Sequence, residues 1–294
     1  MRLFIGLVFL TSMLIVPQLA LATQVTTIDG LVAMYNVEAC ADCHEDIHDE
    51  WKESWHSKSL TDSRVLRTWR TFILSGIDKS DQAKRPVLKM TCLGCHAPQT
   101  KVLSDDVITE ISNLVVQSVD DPDKAKREEA KKRLSGLNIN CIVCHTMMGS
   151  GDGKPQAKTI YGPRGSEDTP HKEELGYETV KSEVISKPDF CHQCHTGCDG
   201  LPADKCWSTK TAYNEYVSHG GDKSCQQCHM VKVDDISSHR FPGIYETDFA
   251  KSGIDLKVDA WRTNSVNHLE NKIMPAIVVK VDLKNQTPHE VPHG

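Results

Sequence analysis

Phe190–Cys206 reads FCHQCHTGCDGLPADKC. Four cysteines and two histidines fall within 17 residues. Such a segment can be a metal clip, a disulfide knot or a cofactor attachment site, and the rest of the chain discriminates between these. Its centre, Cys191-His-Gln-Cys194-His195, is one of five C-x-x-C-H motifs. The others are Cys40-Ala-Asp-Cys43-His44, Cys92-Leu-Gly-Cys95-His96, Cys141-Ile-Val-Cys144-His145 and Cys225-Gln-Gln-Cys228-His229. Their first cysteines lie 52, 49, 50 and 34 residues apart.

Each motif is the attachment signature of a c-type haem. Two thiols add to the two vinyl groups of one porphyrin, and the two intervening residues set them one helical turn apart. The histidine after the second cysteine then sits beneath the ring and gives a nitrogen to iron. Zinc needs four ligands per site, which would leave a fifth cysteine pair without a partner pair. A redox dithiol needs a βαβ setting that the surrounding sequence lacks. The motifs therefore predict five covalently attached haems, with His44, His96, His145, His195 and His229 as proximal ligands.

The composition agrees. The chain has 294 residues, 12 cysteines and 14 histidines, yet only 39% hydrophobic and 6% aromatic residues. So little apolar side chain struggles to offset the conformational entropy of folding, and porphyrins would supply the missing apolar bodies. The start, MRLFIGLVFLTSMLIVPQLALATQ, has Arg2, an apolar run from Leu3 to Val16 and Ala20-Leu21-Ala22. This predicts a signal peptide over 1–22. The run is short for a membrane span, and no second one follows. We therefore expect a periplasmic or extracellular chain with no membrane span, in which disulfides are permitted. Cys198 and Cys206, the only cysteines outside the motifs, are a disulfide candidate; a reactive pair or a thiolate ligand for sulfur chemistry is the alternative. Loss of Arg2 takes the formal charge from −6 to −7. Haem propionates would add more negative charge, which argues against nucleic acid or anionic lipid as a partner.

Nine histidines remain for the distal side: His48, His56, His171, His192, His219, His239, His268, His289 and His293. Five would give every iron two imidazoles. The distinction matters because a six-coordinate iron passes electrons, whereas an open position can bind a small molecule. The best settings are His56 in Trp51-Lys-Glu-Ser54-Trp55-His56, His171 after Ile160-Tyr-Gly-Pro163, and His239 in Ser237-Ser-His239-Arg-Phe241-Pro-Gly243. His192, His219, His48 and His289 are further distal candidates, with His268 and His293 behind them. Met90, Met147, Met148 and Met230 are alternatives that would raise the potential.

As a set, W-x-x-S-x-H after the first motif, T-I-Y-G-P…P-H, and C-Q-x-C-H-M followed by H-x-F-P-G resemble multihaem c-type cytochromes. The resemblance spans roughly residues 38–245. It is to the lineage of the tetrahaem nitrifier cytochrome, hydroxylamine oxidoreductase and pentahaem nitrite reductase, and most of all to its electron-transfer members in metal-reducing bacteria. It implies that His56, His171 and His239 act as distal ligands. Two departures count against an enzyme. The nitrite reductases use a lysine at one haem, while all five motifs here end in histidine. No segment matches the tyrosine that hydroxylamine oxidoreductase crosslinks to its haem.

The expected fold is mainly α with long loops, organised around five covalently bound haems, with a short β-rich C-terminal segment. Ser104 can cap a helix with Val107, Ile108, Ile111, Leu114, Val115 and Val119 on one face. Asp121-Pro122 predicts the start of a second helix, closed by Gly136, with Glu128 and Lys132 as an i,i+4 pair. Residues 149–171 read as a long loop. The pentahaem domain is expected over 23–250. Over 251–294, Ile254-Asp-Leu-Lys-Val-Asp alternates and Ala276–Leu283 is β-rich. This tail reads either as strands that pair with another subunit or haem domain, or as the start of a truncated β-sandwich.

The sequence thus predicts an exported pentahaem cytochrome that relays electrons through a chain of mostly bis-histidine haems. The expected partners are periplasmic or outer-membrane cytochromes and metal oxide acceptors, with an oligomer allowed. One alternative is a multihaem oxidoreductase whose open haem acts on a small nitrogen or sulfur compound. The other is a subunit of a cytochrome filament. The chain reads as an electron-transfer protein ahead of a catalyst.

Overall fold

The computed structural model describes residues 25–74, 92–151, 158–165, 170–195, 209–287 and 289. The predicted leader, Cys198, Cys206, His293 and Met90 lie outside the described residues.

Twelve α-helices, four short 3-10 or π-helical turns and three small two-stranded sheets make up the regular structure of the described residues. The helices are α1 (Ile28–Met34), α2 (Glu38–Ala41), α3 (Glu45–Glu53), α4 (Ser63–Thr68), α5 (Leu93–His96), α6 (Asp105–Asp120), α7 (Lys124–Ser135), α8 (Pro170–Leu175), α9 (Pro188–His192), α10 (Thr209–Ser218), α11 (Cys225–His229) and α12 (Thr247–Gly253). The strands are β1 (Thr159–Gly162), β2 (Glu178–Lys181), β3 (Lys232–Val233), β4 (Ile236–Ser237), β5 (Ile254–Asn267) and β6 (Lys272–Asn285).

One apolar core gathers Ile28 and Leu31 of α1, Leu66 of α4, Leu93 of α5, and Leu134 of α7. The longest helix, α6, adds Val107, Ile108, Ile111, Leu114 and Val115, the predicted stripe, with Val119 half-buried at its end. Spacing of three and four residues puts these side chains on one face, and that face packs on α7. Ser104 occupies the N-cap position of α6, although its hydroxyl makes no capping bond.

Helix α7 begins later than the sequence suggests. Its N-cap is Asp123, whose carboxylate accepts from the Ala125 N–H at 2.8 Å. Asp121 instead accepts from the Asp123 N–H, so Asp121-Pro122 forms the turn before the helix. Asp-Pro and Pro-Asp both carry start signals, and the side chain that reaches the first free amides decides between them. Glu128 pairs with Lys131 at i,i+3, 3.0 Å away, and not with Lys132.

The core stops early. Among the described residues beyond Met148, Ala212 is the one fully buried hydrophobic residue. The described residues between 158 and 253, which include two of the five motifs, therefore have almost no apolar core of their own. The predicted 149–171 loop also contains structure: β1 pairs in parallel with β2, Thr159 opposite Glu178 through Gly162 opposite Lys181. A parallel partner across a helical connection leaves no local turn signal to read.

At the C-terminal end, β5 and β6 form a 14-residue antiparallel hairpin, with Ile254 opposite Asn285 and Asn267 opposite Lys272. Gly253 anchors its base. The Gln286 N–H donates to the Gly253 carbonyl at 2.8 Å. A Cβ at Gly253 would stand 2.5 Å from the Thr287 methyl.

Candidate haem-binding site

Each attachment motif is wound as about one helical turn. Helices α5 and α11 cover the second and fifth, α2 and α9 end inside the first and fourth, and a π-helical turn over Val143–Met148 runs through the third. The His44 N–H donates to the Cys40 carbonyl at 2.8 Å. The same bond joins His96 to Cys92 and His195 to Cys191, each at 3.0 Å. This turn places both thiols on one side with the histidine beneath them. Ser224 starts the fifth motif with a capping box: its hydroxyl accepts from the Gln227 N–H, and the Gln227 side chain accepts from the Ser224 N–H.

Four motif histidines face a second histidine contributed from elsewhere in the chain. His44 faces His171 with ring centroids 5.9 Å apart, His145 faces His239 at 6.3 Å and His229 faces His289 at 6.4 Å. His195 meets His56 at 6.2 Å. The first three pairs are near parallel, with interplanar angles of 30°, 27° and 27°; the fourth is near perpendicular, at 83°. Two metal–imidazole bonds of about 2.0 Å each, plus the inner half of each ring, span roughly 6 Å. Two imidazoles in direct hydrogen contact would sit closer. The centroid separations therefore match those of two imidazoles sharing one iron.

The ring nitrogens are sorted accordingly. Nδ1 of His145 bonds the Tyr161 carbonyl, Nδ1 of His229 the Pro242 carbonyl and Nδ1 of His239 the Ser237 carbonyl, each at 2.8 Å. Nδ1 of His171 reaches the Thr179 hydroxyl at 3.3 Å. A carbonyl accepts only from an N–H, so Nδ1 carries the proton and Nε2 presents its lone pair. Burial favours the same neutral form. It pushes the His56 imidazole down to about 4, aided by His195, and lowers His145, His195 and His239.

Nδ1 of His96 also bonds a carbonyl, that of Ser59, at 2.6 Å. The Ser59 hydroxyl donates back to the His96 carbonyl at 2.8 Å and accepts from the Ile139 N–H. Among the described residues no histidine ring faces His96.

The other sequence candidates fall elsewhere. His48 is 2% exposed and packs on Trp51, with its Nε2 unpartnered. His192 is 5% exposed beside Tyr213, and neither ring nitrogen has a hydrogen bond. His219 is exposed, bonds the Glu215 carbonyl of its own helix, and lines a cavity of about 320 Å³ with Tyr216 and His289. His268 is exposed in the hairpin turn. Met147 and Met148 are buried in the apolar core.

The motifs also touch one another. The thiol of Cys40 neighbours that of Cys141, Cys95 that of Cys194, and Cys191 that of Cys225, each close enough to shift the other's titration. Cys144 lies within electrostatic range of both Cys191 and Cys194. The fourth motif is thus the neighbour of the second, third and fifth.

Residues 39–120, which include the first two motifs, match the protein family described as cytochrome c554 and c-prime. The fold as a whole is similar to the crystal structure of a penta-heme cytochrome c552 from Thermochromatium tepidum. The TM-score is 0.51 at 21% sequence identity, over 88% of this chain and 67% of that one. Both likenesses are thus to multihaem c-type cytochromes, one over residues 39–120 and the other in the fold. No relative among the curated proteins matches it.

Multihaem c-type cytochromes typically work outside the cytoplasm. No helix among the described residues is long and apolar enough to cross a membrane. Sequence reasoning missed the carbonyl acceptors at Tyr161, Pro242 and Ser59. The Tyr-Gly-Pro and Phe-Pro-Gly segments that hold the first two were visible as motifs, but a backbone carbonyl acts without regard to side-chain identity.

Proposed function

We propose that the chain binds five haems, one at each C-x-x-C-H motif, and relays electrons between extracytoplasmic redox partners. The observation that carries this is the set of four facing histidine pairs. In this reading His171, His239, His56 and His289 are the distal ligands opposite His44, His145, His195 and His229. Porphyrin iron supplies the redox change. The chain's own residues set its potential through the neutral imidazoles, the carbonyls on Nδ1 and burial.

The contacts between motifs give the relay an order. The first motif adjoins the third, the third the fourth, and the fourth the fifth, while the second branches from the fourth. Partners would be periplasmic or outer-membrane cytochromes, with metal oxides as terminal acceptors.

One observation favours a second reading. Without a described histidine opposite it, the His96 site suits a haem with an open position that could bind a small nitrogen or sulfur compound. EPR of the oxidised holoprotein, with and without nitrite and hydroxylamine, tests both readings, with haem counted per chain. The relay reading expects five haems, at least four of them low-spin. Fewer than five haems, or fewer than four low-spin irons, would overturn it. A high-spin signal from one iron that shifts on adding ligand would establish the second reading, and five ligand-insensitive low-spin irons would remove it.

A further inference from the structure

The β5–β6 hairpin has two unlike faces. With Leu256 opposite Leu283, Val258 opposite Val281, Ala260 opposite Val279 and Val266 opposite Ile273, one face is mostly aliphatic, interrupted by Asn264 opposite Pro275 and by Asn285 at the base. Arg262, opposite Ile277, is its only charge. Near the base the other face carries Asp255 opposite Lys284, Lys257 opposite Asp282 and Asp259 opposite Lys280, and toward the turn it carries Trp261 opposite Val278, Thr263 opposite Ala276 and Ser265 opposite Met274. Amphipathic alternation of this kind marks a sheet with one buried face and one wet face. Yet the aliphatic face is open: Ile273 is 73% exposed, Ile277 70% and Leu283 66%.

We propose that this face packs on the same face of a second copy of the chain, closing a two-fold dimer. Three features select that occupant. A two-stranded hairpin needs further packing to be stable, and an aliphatic sheet face is covered best by another sheet face about 10 Å away. The face offers no pattern of charge that would select an unlike partner, and the stem of Arg262 can carry its charge to the rim. A second hairpin also matches it in length. At about 3.3 Å per residue each strand runs about 45 Å. With its side chains the face offers roughly 500–600 Å² per copy, so two copies bury roughly 1,000–1,200 Å², the lower range for a specific dimer. That is also as large as the largest apolar patch a typical monomer leaves open.

The geometry gives the dimer a consequence for the relay, which rests on the function proposed above. Strand β6 leads directly to His289, whose ring faces His229 of the fifth motif. Packing two hairpins would bring two chains together through elements fixed to that motif, making the dimer a junction between two relays.

Sedimentation velocity of the holoprotein at micromolar concentration is the test. Wild type should sediment as a dimer, Ile277→Lys as a monomer, and Thr263→Lys, on the opposite face, as a dimer. Haem content per chain and the visible spectrum should be unchanged in both variants, showing that each is folded. If Ile277→Lys lacks haem, Val279→Lys on the same face replaces it. A monomeric wild type, a dimer that survives Ile277→Lys, equal dissociation by Thr263→Lys, or open-ended growth with concentration would each overturn the proposal. A reductive titration of the same samples reads the relay within one chain and stands or falls independently of the dimer.

Discussion

The Glu50 carboxylate accepts the backbone N–H of His239 at 2.7 Å and the Ser238 hydroxyl at 3.1 Å. Glu50 lies in α3, just after the first motif, and His239 stands opposite His145 of the third. One side chain of the first motif's helix thus fixes the loop that presents a histidine to another motif. Glu50→Ala should free that loop. Losing hydrogen bonds to a charged acceptor costs about 1–3 kcal/mol, read by chemical denaturation of the holoprotein. A high-spin fraction should appear in the resonance Raman spectrum. Glu50→Gln keeps one acceptor oxygen and should show a smaller change in both.

The angle between His56 and His195 should be visible in EPR. When two imidazole planes are parallel, their π-donation splits the two iron orbitals it reaches. When the planes are perpendicular, those orbitals stay nearly degenerate. The oxidised protein should therefore show one strongly anisotropic low-spin signal, from the pair at 83°, beside the more rhombic signals of the pairs at 27–30°. His56→Met should abolish that one signal. It should also raise a single potential, by an amount on the order of 100 mV within the roughly 0.8 V span open to axial ligands. Loss of a rhombic signal instead would reassign His56.

Gly149 lets the segment bearing Tyr161 close over the third motif. A Cβ there would stand 2.6 Å from the Tyr161 Cβ and 3.1 Å from the Cys144 carbonyl. Gly149→Ala should push Tyr161 off, at a cost of about 1–3 kcal/mol for overpacking. The Tyr161 carbonyl would then hold the His145 Nδ1–H less well, and a less basic imidazole should raise one potential in a redox titration. Unchanged stability would show that the segment yields freely.

Arg64 caps the rings of Trp55 and Tyr245, which pack on each other 4.8 Å apart; its guanidinium lies 4.6 Å and 4.0 Å from their centroids and pairs with Asp62 at 2.9 Å. The Arg64 guanidinium holds the Asp62 carboxyl below its ordinary 3.8. A carboxyl depressed on folding stabilises the fold above its unfolded value, and that contribution is lost as pH falls through the folded value. The wild-type denaturation midpoint should therefore fall more steeply than that of Asp62→Asn as the pH drops below about 3.8. The difference should be small, because the pair is exposed and screened. Parallel profiles would show that the pair is unimportant to stability.

Spacing along the chain determined the attachment motifs, because the porphyrin's two vinyl groups demand two thiols a fixed helical turn apart and a histidine directly after. Periodicity determined α6 and the hairpin, since both bury or display one face with a period that a single segment records. The facing histidines were only partly legible. His56, His171 and His239 stood out by their aromatic, glycine- and proline-rich settings, whereas His289 looked no different from His48 or His192. Tertiary structure separated them: His289 reaches His229 because the hairpin returns the chain to the fifth motif, while His48 and His192 are turned into packed surroundings beside Trp51 and Tyr213. The partners in each pair lie between 60 and 139 residues apart in sequence, so no local signal could join them. The same holds for the carbonyls of Ser59, Tyr161 and Pro242, and for the order of the motifs in space. A side chain's chemistry is written at its own position, but what it faces depends on where distant segments pack.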